Sequence, residues 1–165
     1  MEPGAAARIA VSNTTPIIGL VETGALTVLT RRFDRVLIPG AVWTELNDKP
    51  GAPEPAALTG LAGWTCDPGE YPIPARAARL GAGERHAIAI ACQRQPTVLL
   101  LDEHKARGVA AQLGLRVMGT VGLLVEAKHL GIIPAVEPCI ARLLARNFRL
   151  SDRVIDAALR AAGER

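Results

Sequence analysis

The hydrophobic and polar positions of the chain form short apolar runs separated by longer stretches with helical spacing. Apolar runs that stop at polar or turn-forming residues predict buried strands, and the intervening periodicity predicts helices. The predicted strands lie at residues 8–12, 35–38, 64–66, 98–101 and 116–118. The predicted helices lie at residues 17–21, 26–30, 41–46, 83–92, 102–113, 140–145 and 154–162, and a further helix follows the last strand and ends at residue 130. This alternation predicts right-handed βαβ units and a parallel sheet covered by helices on both faces.

Breaking residues set the expected ends of these elements. Pro16 suits the first turn of a helix, with Thr14 or Thr15 as its cap. Gly24, Gly114 and Gly131 are each expected to end the helix that precedes them. Two stretches rich in Pro and Gly, residues 48–57 and 67–74, predict loops. A chain of 165 residues fits one domain, residues 1–165, with a helical C-terminal tail from about residue 140.

The composition narrows the class of protein. Hydrophobic residues make up 49% and aromatic residues 3%, so the core is expected to be aliphatic and nucleic-acid binding by stacked rings is disfavoured. The three cysteines lie far apart, without the spacing of a zinc or redox motif, which favours a reduced cytoplasm. No signal peptide is expected, and the apolar run at residues 117–125 is about half of a membrane span. We expect a cytoplasmic protein with no membrane segment.

The net charge of +3 is concentrated at the C-terminus. Residues 140–165 hold six arginines against Asp152, Asp156 and Glu164. Two interpretations remain open, a solvated helix face or a surface that contacts phosphate groups.

Polar residues follow three of the predicted strands. Asn13 and Thr14 come after the first strand, Asp102 and Glu103 after the fourth, and Thr120 after the fifth. Ligands of open parallel sheets gather beyond the carboxyl ends of the strands, so these side chains are expected at one edge.

Two further acids, Glu45 and Glu84, can reach this edge from helices. Four carboxylates that converge repel one another, and a hard cation such as Mg²⁺ or Mn²⁺ is the usual solution. A structural interpretation stands beside this one. Asp102 can cap the following helix, and Glu84 lies in a first turn, where a carboxylate offsets the helix dipole.

Other α/β chemistries fit the sequence less well. Residues 81–86 imitate a dinucleotide fingerprint but lack its third Gly and do not follow the first strand. A Walker loop and a Gly-x-Ser-x-Gly elbow are absent from the sequence. An aspartyl-phosphate enzyme requires an Asp after the first strand, where Asn13 cannot act as the nucleophile. A hydrolase of a small phosphate ester remains a weaker hypothesis.

Short motifs stand at these strand ends and helix starts along the whole chain. They occupy residues 11–18, 37–39, 42, 45–46, 83–84, 101–102, 105–107, 119–120 and 147–152. Their order resembles the DUF3368 branch of the PIN-domain superfamily, from about residue 9 to residue 164. The resemblance implies a three-layer α/β/α sandwich with a central parallel sheet.

The resemblance also implies a function. VapC-like toxins of toxin–antitoxin pairs cleave single-stranded RNA with one or two divalent ions, and a small antitoxin protein inhibits them. By this resemblance Glu45, Glu84 and Asp102 are metal-binding acids, with Asp102 and Glu45 matching most directly. Glu103 is a supporting acid, and Thr14 is the hydroxyl beside the first site position. By analogy a homodimer is expected.

Two positions depart from the pattern of the family. Asn13 stands at the first site position, where an Asp is usual, and His86 replaces the second acid of a Gly-Glu-x-Glu-Ala motif. The loss of two negative charges is expected to weaken magnesium binding, although an amide oxygen can still coordinate an ion. His86 can bind manganese, contact phosphate or be purely structural. The leading hypothesis is a metal-dependent ribonuclease, and the alternative is a weakened or inactive PIN-like module that binds RNA or a protein.

Overall fold

A computed structural model describes residues 5–48 and 64–165 of the chain. Five parallel strands form its sheet in the order β3-β2-β1-β4-β5. Val11 of β1 lies opposite Leu37 of β2 on one side and Leu99 of β4 on the other. The predicted parallel sheet is therefore confirmed. The strands are β1 Ile9–Ser12, β2 Arg35–Pro39, β3 Trp64–Asp67, β4 Val98–Leu100 and β5 Val117–Met118.

Helices cover both faces of the sheet, as a three-layer α/β/α sandwich requires. Within the described ranges they are α1 Thr14–Glu22, α2 Thr27–Arg32, α3 Gly40–Asp48, α4 Ala82–Arg94, α5 His104–Gln112, α6 Thr120–His129, α7 Glu137–Ala145 and α8 Asp152–Ala161, with a 3-10 turn at Ala75–Ala77. The glycines predicted to end helices do so, since Gly24, Gly114 and Gly131 adopt positive φ angles of 70°, 76° and 72°.

Alternation along the strands divides the core into two clusters. Ala10 and Leu100 point to one face, where they pack with α1, α2, α6, α7 and α8. Val11 and Leu99 point to the other face, against α4 and α5. The side chains are almost all aliphatic, as the composition predicts. Each central strand is therefore buried on both sides, as expected for a parallel sheet.

The strand order creates a switch point between β1 and β4. From β1 the chain proceeds outward through β2 and β3, and it then returns to the other side of β1 to form β4 and β5. Connections leave β1 and β4 in opposite directions, which opens a crevice at their carboxyl ends. Asn13 and Asp102 follow these two strands, so the strand order places both beside this crevice.

The cap of α1 differs from its prediction. Asn13 occupies the cap position, and neither Thr14 nor Thr15 caps the helix, because α1 already includes both threonines. The helix predicted from residue 102 begins at His104 and is capped by Glu103, whose carboxylate accepts a hydrogen bond from the Ala106 amide at 2.8 Å.

Two further expectations concern the remaining chain. Most of the loop predicted at residues 48–57 lies outside the described residues. Among the residues that are described, no helix is long and apolar enough to cross a membrane.

Candidate active site

Asn13 lies at the centre of the crevice. Its backbone amide donates to Leu100 O at 3.1 Å, which fixes the end of β1 against β4. The residue is 5% exposed, and its side chain makes no capping bond. Within the described part of the chain, Asn13 Oδ1 has no hydrogen-bond partner. A buried carbonyl oxygen without a donor is costly, which makes this atom a candidate ligand for a bound species.

Glu45 approaches Asn13 from α3. Thr14 Oγ1 donates a short hydrogen bond to Glu45 Oε2, and the Gly83 amide donates to Glu45 Oε1 at 3.1 Å. A Cβ atom on Gly83 would lie 2.7 Å from Asn13 Oδ1 and 2.9 Å from Glu45 Oε1. The two oxygens therefore face the same space, which only a glycine leaves free.

This space belongs to a small pocket of about 190 Å³. Glu84 lines the pocket from the first turn of α4. Its Oε2 atom also accepts a hydrogen bond from the Gly81 amide at 3.1 Å, so the structural role considered for Glu84 is present as well. Burial raises the pKa of Glu84, the negative charges of Glu103 and Glu45 raise it further, and the Gly81 hydrogen bond opposes them.

Asp102 is held from the other side of the crevice by Thr120. The Thr120 amide donates to Asp102 Oδ1 at 2.7 Å, and Thr120 Oγ1 donates to Asp102 Oδ2 at 2.6 Å. Burial nevertheless raises the pKa of Asp102, although the Thr120 hydrogen bonds and the charge of Arg107 act in the opposite direction. Because Glu103 caps α5, the carboxylate of Asp102 is not used as a cap.

Two other predicted site residues make structural contacts. Glu103 is the cap of α5, although its charge still acts on Glu84. His86 Nδ1 donates to Ala82 O at 2.6 Å, one turn earlier in α4. This contact leaves Nε2 as the ring nitrogen for any ligand.

The predicted residues fall into two adjoining sets. Asn13, Thr14, Glu45 and Glu84 line the small pocket, whereas Asp102 lines a larger groove with Arg107. Across residues 5–48 and 64–165, no three His, Cys, Asp or Glu side chains are grouped closely enough to hold one metal ion.

The small pocket still fits a hard cation by its donors. It combines an unpartnered amide oxygen, Asn13 Oδ1, with the carboxylates of Glu45 and Glu84. Oxygen atoms are the ligands that Mg²⁺ and Mn²⁺ prefer. Burial, followed by the charges of Glu103 and Glu45, raises the pKa of Glu84, and a bound cation would oppose this rise.

Sequence reasoning missed two residues that shape the crevice and one buried acid that lines neither the small pocket nor the larger groove. Gly83 leaves the space between Asn13 and Glu45, and Arg107 lies beside Asp102, although both belong to motifs that were noted. Asp67 was expected in a loop, but it is the last residue of β3 and is 8% exposed. Hydrogen bonds from Tyr71 and Arg94 occupy its carboxylate. The Asp-Pro-Gly sequence after an alternating run was the available signal.

Comparison with known proteins identifies the family. The family model DUF3368, described as PIN domain, matches residues 9–164. No curated protein matches the chain.

Proposed function

This chain belongs to the PIN-domain family DUF3368, and on that premise we propose that it cleaves single-stranded RNA with a divalent metal ion. PIN-domain membership indicates nuclease activity in general. The observation that supports the metal-dependent reaction is the buried, unpartnered Asn13 Oδ1, which faces the Glu45 carboxylate across the space above Gly83.

The residues have distinct roles in this proposal. Asn13, Glu45 and Glu84 would hold Mg²⁺ or Mn²⁺ in the small pocket, and Asp102 would join them from the end of β4. Such an ion stabilises charge on a phosphodiester and makes water a better nucleophile at neutral pH. Thr14 orients Glu45, and Thr120 orients Asp102, each through a hydroxyl that donates to the carboxylate.

The biological context is proposed from the family resemblance. The protein would be the toxin of a toxin–antitoxin pair, inhibited by a small antitoxin protein, and would act in the cytoplasm as a homodimer. Its support is the likeness of the motif order to the DUF3368 branch of the PIN-domain superfamily, which implies a role like that of VapC-like toxins.

The proposed activity is tested by cleavage of a labelled single-stranded oligoribonucleotide. We expect the wild type to cleave with Mn²⁺ or Mg²⁺ and not with EDTA, and Asp102→Asn to be slower by at least about 100-fold. Asp34→Asn is the matched control, because Asp34 is paired with Arg8 before β2, away from the crevice. Equal activity of wild type and Asp102→Asn, or activity in EDTA, contradicts the proposal.

A second function is favoured by two observations. Two expected acids are replaced by Asn13 and His86, and the described acids do not form a group of three around one point. A PIN-like module with weak or no catalysis, which binds RNA or a protein, fits this arrangement. It predicts no turnover and no saturable Mn²⁺ binding at millimolar concentrations, in both the wild type and Asp102→Asn, and any RNA binding should survive Asp102→Asn.

A further inference from the structure

A large groove begins at Asp102 and extends under the C-terminal tail. Its volume is about 890 Å³, and we call it the tail groove. Its walls come from the start of α5, from β5 and α6, and from the turn and helix at residues 149–161. Apolar side chains such as Val125 and Val154 supply much of the lining, whereas its charged groups are the guanidinium groups of Arg107 and Arg149 and the carboxylates of Asp102 and Glu126.

The tail is fixed against the active-site crevice by Phe148. A Cβ atom on Gly19 would lie 2.8 Å from Thr120 Cγ2 and 3.2 Å from the Phe148 ring, so the ring packs where α1 meets α6. Thr120 is the residue that holds Asp102. The tail is therefore anchored next to the support of a proposed catalytic carboxylate.

The turn between α7 and α8 is closely specified on both sides of Arg149. Asn147 adopts a left-handed conformation with φ 64°, and the Phe148 amide donates to Leu143 O at 3.1 Å, which ends α7. Ser151 then caps α8 by accepting from the Val154 amide at 3.3 Å. Arg149 stands between these fixed points, exposed at the wall of the groove.

Arg107 supplies the second cation from α5. Its Nη1 atom donates to Leu101 O at 3.3 Å. A Cβ atom on Gly119 would lie 2.6 Å from Arg107 Nη1 and 2.9 Å from Asp102 Oδ1, so guanidinium and carboxylate face the same space. An arginine has five N–H donors, and this contact uses one of them. Arg107 can therefore bind an anion brought next to Asp102.

We propose that the tail groove binds the single strand of RNA that extends from the active site. Arg107 and Arg149 bind its backbone phosphates, and the aliphatic wall carries a base without stacking. This inference rests on the proposed function, because it names the path of the same substrate. The groove opens at Asp102, so an occupant that follows it reaches the reacting position. Two acids also line the groove, but Asp102 is held by Thr120 and Glu126 is paired with Arg32. This leaves Arg107 and Arg149 to bind a polyanion.

The test measures RNA binding apart from cleavage. A fluorescent single-stranded oligoribonucleotide is titrated with wild type, Arg149→Ala and Arg149→Lys in EDTA over a series of salt concentrations. We expect Arg149→Ala to weaken binding about fivefold at low salt, the scale of one exposed charged contact. The negative slope of log K against log salt should become less steep by about 0.7, the value for one phosphate contact of a single strand. Arg149→Lys should keep most of the affinity.

Arg142→Ala is the matched control. It removes the same charge from the same tail, at an exposed residue of α7 that does not line the groove. A change of less than about twofold is expected for it, because salt screens a distant exposed charge. If Arg149→Ala and Arg142→Ala have equal affinity and equal salt slope, the proposal is wrong. It is also wrong if the wild type binds no RNA, which would leave the groove to a protein partner.

The outcome separates this inference from the proposed activity. RNA binding that depends on Arg149 but comes without metal-dependent cleavage would support RNA binding by the tail groove and refute the proposed nuclease activity. If the protein cleaves RNA with a metal ion but Arg149→Ala and Arg142→Ala have the same RNA affinity, the nuclease activity is supported and RNA binding by the tail groove is refuted.

Discussion

Replacement of Gly83 by alanine tests the geometry of the small pocket directly. The added Cβ would lie 2.7 Å from Asn13 Oδ1 and 2.9 Å from Glu45 Oε1, well inside the 3.4 Å at which ordinary contact begins. Asn13 is 5% exposed and its backbone amide is fixed to Leu100 O at 3.1 Å, so its short side chain moves less easily than the longer side chain of Glu45. The methyl group must therefore displace the Glu45 carboxylate or shift the start of α4.

The expected loss of stability follows from two opposing effects. Overpacking of a well-filled site costs about 1–3 kcal/mol, while alanine in a helix gains about 0.5–1 kcal/mol over glycine. We expect the free energy of unfolding of Gly83→Ala to be lower by about 1–2 kcal/mol on this scale. Because the displaced atoms are the proposed ligands, the affinity for Mn²⁺ should fall by about tenfold or more.

Gly108→Ala provides the control for the intrinsic effect of the methyl group. Gly108 lies within α5, and a Cβ atom there would have no neighbour within 4 Å. This variant should be more stable than the wild type by about 0.5–1 kcal/mol, with Mn²⁺ binding unchanged. Urea unfolding and Mn²⁺ titration measure both quantities. If Gly83→Ala is as stable as Gly108→Ala and binds Mn²⁺ like the wild type, the pocket is not arranged as described.

Three further substitutions test other contacts of the fold and the site. Asn13→Asp adds a buried negative charge beside Glu45, so the metal-free protein should be less stable than the wild type. Added Mn²⁺ should raise the Tm of this variant by more than it raises that of the wild type, and an equal rise in a thermal melt would contradict a ligand role for Asn13. Thr120→Val removes one hydrogen bond to Asp102 and should lower the free energy of unfolding by about 1.5–3 kcal/mol at pH 7, with a further rise in the pKa of Asp102 followed by NMR titration; no change in either quantity would contradict the proposed support. Burial raises the pKa of Asp67, but the hydrogen bonds to its carboxylate and the charge of Arg94 outweigh burial and lower this pKa. The difference in unfolding free energy between the wild type and Asp67→Asn should therefore be largest above the unfolded pKa of about 3.9 and should vanish as the pH falls through the lower folded pKa. A difference in urea unfolding that does not depend on pH would refute this.

Much of the fold could be predicted because its elements carry local signals. The apolar run before Asp102 ends one residue after β4, and the glycines after α5 and α6 take the left-handed conformation that such ends require. The order of strands had no comparable local signal. The side of β1 on which β4 pairs depends on how whole helices cover the sheet, and only the rule of right-handed connections constrains it.

The site was predictable as a location and not as a set of contacts. Asn13 and Asp102 could be placed at one edge because parallel strands share their carboxyl ends. The roles of the two adjacent acids were not predictable locally, since Asp is a preferred helix cap and Glu is not, so the sequence favoured Asp102 for the cap. The structure uses Glu103 as the cap, which leaves Asp102 for Thr120. Long-range contacts decide this choice, and the local sequence does not contain them.

Under the proposed function, Asn13 balances holding a cation against remaining folded without one. Its Oδ1 atom is buried and faces the space shared with the Glu45 carboxylate. An Asp at this position would bring a second buried negative charge to that space, beside Glu84, whose pKa burial and nearby acids already raise. The amide keeps an oxygen donor in place and removes the repulsion. The pocket should therefore bind a divalent ion more weakly than an all-acid site, while the protein tolerates the loss of the ion better.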